Sequence, residues 1–251
     1  MPSLNQATKV QGKDVYRFGG DPIPIIDAPD DTDWKRWGML NDRKSNRLYF
    51  FKSDTDNTIY PFLYIDGAYR YDDNIAELTL SGITDNMDTS SISMLCTPNF
   101  EEVEGFRDQG TKKYLPMPNN YHVYMQQKDK PQTIHQILWE EGTRNLKLNG
   151  ITSDQFDITG FPQDTDWSRW AITYDSNRYQ LAFRSYVFFA FKLGSYTQIY
   201  YGRHGDKDEN DVSVYGYKGI IELVGAPADT DHSSMSIMFD GVHAHLYMLT
   251  E

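Results

Sequence analysis

Four aspartates stand at matching places in the chain, at Asp33, Asp88, Asp166 and Asp231. Two residues before each lies another oxygen-bearing side chain: Asp31, Asn86, Asp164 and Asp229. Hard cations such as calcium take about six to eight oxygen ligands. If these turns open the innermost strands around one axis, the side chains could hold a calcium or another hard cation in an axial channel. The same residues also suit turns, because a short carboxylate or amide accepts nearby backbone N–H bonds. The surrounding Gly-x-Pro-x-Asp-Thr-Asp pattern is turn chemistry too, and the two roles are compatible.

Trp34, Arg36 and Trp37, with Trp167, Arg169 and Trp170, form the second candidate group. Paired aromatics on a surface stack against sugar rings or cations, and exposed Trp and Arg make protein-binding hot spots. The alternative is that the rings pack inside, with each Arg stacked on Trp and bonded to Asp, since packing must repeat where a ligand site need not. The histidines come third. His243 and His245 share one strand face and could share a metal, with His232 as a further ligand, while His122 and His135 occupy other repeats. Three histidines would suit zinc with an open position; hydrogen-bonded strand histidines are the alternative. GxSxG, P-loop, GxGxxG and HExxH signatures are absent. Nothing marks Cys96 as an activated nucleophile.

These residues must be placed by a chain of 251 residues, 39% hydrophobic and 14% aromatic, which suffices for a buried core. No apolar run approaches the ~18 residues of a membrane helix, and the first twenty residues lack the apolar middle of a signal peptide. The expectation is a soluble, cytoplasmic protein, with release by a non-classical route left open. A single cysteine excludes an intramolecular disulfide framework and a Cys-based zinc site. The net charge of −12, with no Lys/Arg run longer than a pair such as Lys112-Lys113, argues against a nucleic-acid partner.

The positioning elements follow from an internal repeat. DTDWKRW at 31–37 matches DTDWSRW at 164–170, with Pro29 matching Pro162. Two further copies, around Asp88 and Asp231, carry Ser-Ser in place of Trp-x-Arg-Trp, so the two types alternate along the chain. After each motif come short segments rich in Tyr, Phe and Val: RLYF at 47–50, HVYM at 122–125, FFAF at 188–191 and HLYM at 245–248. A second set reads IYPF at 59–62, IHQI at 134–137 and IYYG at 199–202. All of these read as strands, so the protein is all-β. Residues 96–120 form an insertion, expected as a loop on one face.

The fourth copy runs out at Glu251, and VYRF at 15–18 matches its missing strand. A first segment that completes the last repeat implies a ring, and radial repeats of small sheets are β-propellers. The expected fold is a single domain over 1–251, a closed four-bladed β-propeller with blades near 21–74, 75–150, 151–218 and 219–251 plus 1–20. An Asp-led strand followed by YFFK at 49–52 and IYPF at 59–62 resembles hemopexin-like repeats. The resemblance implies a four-bladed disc, ions in an axial channel, and binding over catalysis. The Asp-Ala-Ala of that family is replaced here by Asp-Trp-Lys-Arg-Trp or Asp-His-Ser-Ser, and its disulfide cannot form with one cysteine. The expected function is non-enzymatic binding or scaffolding for a ligand, protein or glycan partner. The alternatives are a carbohydrate-binding lectin and a metal-assisted enzyme with its site near His243 and His245.

Overall fold

The computed structural model describes residues 2–41, 45–102, 114–140, 145–147, 155–175, 185–204, 214–239 and 244–250. Every regular element among them is a strand, nineteen in all. The chain opens with β1 (Ser3–Lys9), β2 (Val15–Phe18) and β3 (Ile23–Ile26). A first meander holds β4 (Thr32–Asn41), β5 (Asn46–Lys52), β6 (Thr58–Ile65), β7 (Ala68–Tyr71) and β8 (Leu78–Ser81). The second holds β9 (Met87–Glu102), β10 (Tyr114–Gln127), β11 (Lys130–Glu140), β12 (Asn145–Lys147) and β13 (Gln155–Thr159). The third holds β14 (Thr165–Asp175), β15 (Ser185–Lys192), β16 (Gln198–His204) and β17 (Val214–Val224), and the last holds β18 (Ser236–Phe239) and β19 (Ala244–Leu249). No helix among the described residues is long and apolar enough to cross a membrane.

The apolar runs form strands buried on both faces. In β5, Leu48, Tyr49, Phe50 and Phe51 are all fully buried. Leu48 and Phe50 join Trp37, Met39, Met238 and Tyr247 in one cluster, while Tyr49 and Phe51 join Ile59, Met94, Val123 and Met125 in another. Two further clusters lie between the second and third meanders and between the third and the last. Each buried Phe- or Leu-sized side chain contributes roughly 1.5–3 kcal/mol, so these clusters hold neighbouring meanders together.

The closed four-bladed propeller is not what forms. Propeller blades are separate sheets that meet through side chains. Here neighbouring meanders are also hydrogen-bonded edge to edge by parallel ladders, pairing Ile25 with Tyr69, Leu80 with Leu146, Ile158 with Tyr215 and Leu223 with Tyr16. All nineteen strands therefore belong to one mixed sheet system. The physical reason lies in the edge strands, whose unpaired N–H and C=O groups find partners on the next meander. The axial channel implied by the propeller goes with it.

Two smaller expectations also change. The strand beside β19 is β1, with Leu4 opposite Leu249, and Val15–Phe18 lies one place further out, paired with β1. The insertion at 96–120 is largely no loop. It lengthens the hairpin of β9 and β10, whose ladder runs from Gln127 opposite Met87 to Tyr114 opposite Glu102. Its tip, 103–113, lies outside the described residues.

Candidate functional site

The repeated motif builds a bulge at the start of each of the first three meanders. In β4, Asp33 pairs with Phe51 and Trp37 with the next residue, Phe50, so residues 34–36 bulge out of the ladder. The third meander does the same between Asp166 and Trp170, and the second between Asp88 and Ile92. Before the bulge, Thr32 donates both its N–H and its hydroxyl to the Pro29 carbonyl, at 3.1 and 2.7 Å, and Thr165 repeats this on Pro162.

All four motif aspartates cap this turn. The carboxylates of Asp33, Asp88, Asp166 and Asp231 accept the N–H groups of Lys35, Ser90, Ser168 and Ser233 at 3.0, 2.9, 3.1 and 2.7 Å. Asp33 and Asp166 also accept the Nε–H of Arg36 and Arg169, both at 2.7 Å. Burial alone would raise the Asp166 pKa, but the bonds from Ser168 and Arg169 outweigh it and hold the carboxyl below its usual value. No group of three or more His, Cys, Asp or Glu among the described residues could hold a metal ion.

The two tryptophans of each pair have different environments. Trp37 and Trp170 are buried to 2% exposure. The indole N–H of Trp37 donates to Ser234 Oγ at 2.6 Å, and that of Trp170 to Ser91 Oγ at 2.7 Å. A Trp-type meander is thus paired with a Ser-type meander, which accounts for their alternation in sequence. Two further serines extend the pairing: Ser236 Oγ accepts the Met39 N–H at 3.1 Å and Ser93 Oγ accepts the Ile172 N–H at 2.8 Å. Trp34 and Trp167 are only partly buried. Trp34 meets Phe50 edge to face at 4.8 Å, and Trp167 lies 5.9 Å from both Phe161 and Phe188.

The arginines tie the bulge to the turn between the next two strands. Arg36 stacks on Phe51 at 4.6 Å, binds Asp56 at 2.9 Å and donates to the carbonyls of Lys52 and Thr55. Arg169 stacks on Phe191 at 4.3 Å and donates to the carbonyls of Ser195 and His232.

Sequence reasoning missed a second constellation beside each bulge. Tyr60 donates its hydroxyl to Asp31 at 2.7 Å, with Lys52 Nζ 3.7 Å from the same carboxylate. In the third meander Tyr200 donates to Asp164 at 2.8 Å, with Lys192 at 3.8 Å. Burial and the neighbouring carboxylate push both tyrosine pKa values up to about 12. The bond from Tyr60, with Lys52 assisting, holds Asp31 below its ordinary value, and the contact with Glu77 keeps Lys52 protonated. The signal was the lysine that closes both the 47–52 and 185–192 strands and the tyrosine after Ile59 and Ile199.

The histidines are not gathered into a site among the described residues. His243 lies outside them. His245 Nδ1 faces Gln6 Nε2 at 2.7 Å and Thr8 Oγ1 at 3.0 Å, and His122 pairs with Gln136. The His232 ring lies 5.0 Å from that of Tyr196. His135 is buried, its Nδ1 faces Gln155 at 3.1 Å, and its Nε2 has no hydrogen-bond partner. Cys96 is buried and forms no disulfide. No protein-family model matches the chain, and no curated protein matches it.

Proposed function

We propose that the chain is a non-enzymatic binding protein that meets a protein or glycan partner at the turns beside its Asp-led bulges. One internal comparison carries the reading. The turns at 53–56 and 193–196 are the same device: the N–H of Ser53 donates to Asp31 O at 2.6 Å, and that of Leu193 to Asp164 O at 2.7 Å. Asp54 and Gly194 take matching positive φ values of 61° and 73°. The first turn is built from polar residues. The second carries Leu193 and Tyr196, whose 63% and 62% exposure exceeds that of every other large hydrophobic among the described residues.

Folding does not require these two side chains, because the sister turn forms with Ser53 and Asp56 in their places. Large apolar groups left in water at one turn suit partner contact. Tyr196 is held in place, with the Arg169 guanidinium 5.5 Å and the His232 ring 5.0 Å from its centre. A ring already ordered loses little further freedom on binding.

The test is the double variant Leu193→Ser with Tyr196→Asp, which copies the sister turn. Both proteins are applied to protein and glycan arrays after circular dichroism has shown that the variant is folded. Signals carried by the native chain and lost in the folded variant support the reading. Protein-array signals equal in both, or no signal from either on any array, refute it.

A further inference from the structure

We infer that the chain carries two equivalent sites for a neutral pyranose sugar, one on each Trp-type meander. The first is Asp31, Trp34, Lys52, Tyr60 and Tyr71; the second is Asp164, Trp167, Lys192, Tyr200 and Tyr217. The inference rests on the binding reading above and names a ligand class for the same end of the molecule.

The two sets agree in residue type, and their Asp, Lys and Tyr groups agree in geometry; the indoles are set differently, Trp34 at 4.8 Å and 64° to Phe50 and Trp167 at 5.9 Å and 36° to Phe188. The Tyr–Asp bonds are 2.7 and 2.8 Å, and the Lys–Asp separations 3.7 and 3.8 Å. The paired tyrosine rings meet at 5.7 Å in both, at interplanar angles of 89° and 82°. Register agrees as well: Lys52 stands opposite Thr32 and Lys192 opposite Thr165, while Tyr71 stands opposite Phe62 and Tyr217 opposite Gly202. The carboxylates are 48% and 47% exposed.

Packing alone does not explain the matched surface pair of carboxylate and ammonium, because part of the core beneath has diverged. Ladder positions that match between the first and third meanders hold Leu48 and Phe188, Phe50 and Ala190, and Phe62 and Gly202. A structural repeat keeps its core and drifts at its surface. Here some buried positions differ, although Trp37 and Trp170, Phe51 and Phe191, and Ile59 and Ile199 agree, while the half-exposed carboxylate and its ammonium stay the same. The Ser-type meanders lack the set: Trp34 is replaced by Thr89 and His232, and Tyr60 by His135 in the second meander.

The chemistry fits a sugar. A partly exposed indole offers an apolar face to ring C–H groups, a carboxylate accepts hydroxyl protons, and an ammonium donates to ring or hydroxyl oxygens. Lys52 is already balanced by Glu77 at 2.9 Å and Asp31 at 3.7 Å, Lys192 by Asp164 at 3.8 Å, and the chain carries −12 net charge, so an acidic sugar finds no uncompensated cation.

The probes are oligosaccharides ending in galactose, glucose, mannose or N-acetylglucosamine, titrated calorimetrically into the full chain. The expected result is two sites per chain for at least one probe. Lys52→Met and Lys192→Met should each weaken one site about tenfold or more, leaving one strong site per chain, and together should remove both. Tryptophan fluorescence quenching by the same probe, reduced by Trp34→Phe and by Trp167→Phe, gives a second measurement independent of the lysines. One site per chain, or affinity and quenching unchanged in every variant, overturns the inference. Absence of any sugar binding beside a protein-array signal that depends on Leu193 and Tyr196 sinks the sugar sites alone. Absence of both sinks the binding reading with them.

Discussion

Replacing Ser91 with alanine should strand the indole N–H of Trp170. That indole is 2% exposed and its donor reaches Ser91 Oγ, at 2.7 Å. An alanine methyl offers no acceptor, and a ring packed within 5.7 Å of Phe188 has little room to turn toward water. A buried donor left without a partner costs about 1–3 kcal/mol. For a chain of 251 residues, each kcal/mol corresponds to about 2–4 °C of Tm, so Tm should fall by roughly 2–12 °C. Ser234→Ala should cost as much through Trp37, whose bond is 2.6 Å. The control is Trp170→Phe, which removes the donor and some apolar area together. In that background Ser91→Ala should cost only a few tenths of a kcal/mol, giving a coupling of about 1–2 kcal/mol in the double-mutant cycle. Urea unfolding of the four proteins measures it. A Ser91→Ala variant as stable as the native chain, or equally costly with and without the indole, would refute the pairing as the reason for the Trp/Ser alternation.

Three other outcomes are expected. A Cβ on Gly38 would lie 2.8 Å from Met94 Cγ, so Gly38→Ala should cost about 1–3 kcal/mol by overpacking, and Met94→Val should restore part of the lost Tm. Burial lowers the pKa of His135 below its usual value of 6.5; its neutral form is favoured in the fold, so stability is complete above pH 6.5 and is lost as pH falls from there through the folded pKa. His135→Gln should flatten that part of the pH–stability curve, and an unchanged slope would contradict the assignment. Because Asp33 and Asp88 cap turns through acceptor oxygens, Asp88→Asn should change Tm by no more than about 2 °C, and EDTA should leave the native melting curve in place. A clear EDTA-induced drop would reinstate a bound cation.

The local devices were legible in the sequence, and the reason is their range. An Asp that accepts the N–H two residues on, or a Thr that reaches back to a Pro carbonyl, needs only neighbouring residues, so GxPxDTD announces its own turn. Strand character was equally readable, since LYFF at 48–51 is apolar at every position, as a strand buried on both faces must be. The candidate site was readable only in part. Trp34 and Trp37 look alike in sequence, yet Trp37 is buried and Trp34 only partly so, because the bulge at 34–36 turns consecutive side chains in different directions.

What the tertiary structure alone decided is how the meanders meet. Which serine receives the Trp37 indole, and which edge strand pairs with which, depend on groups far apart in the chain. The edge ladders are formed by backbone N–H and C=O groups, which every residue but proline carries alike. Such pairing leaves no residue signature, and that is why a repeat written plainly in the sequence pointed to four separate blades where the edges are in fact joined.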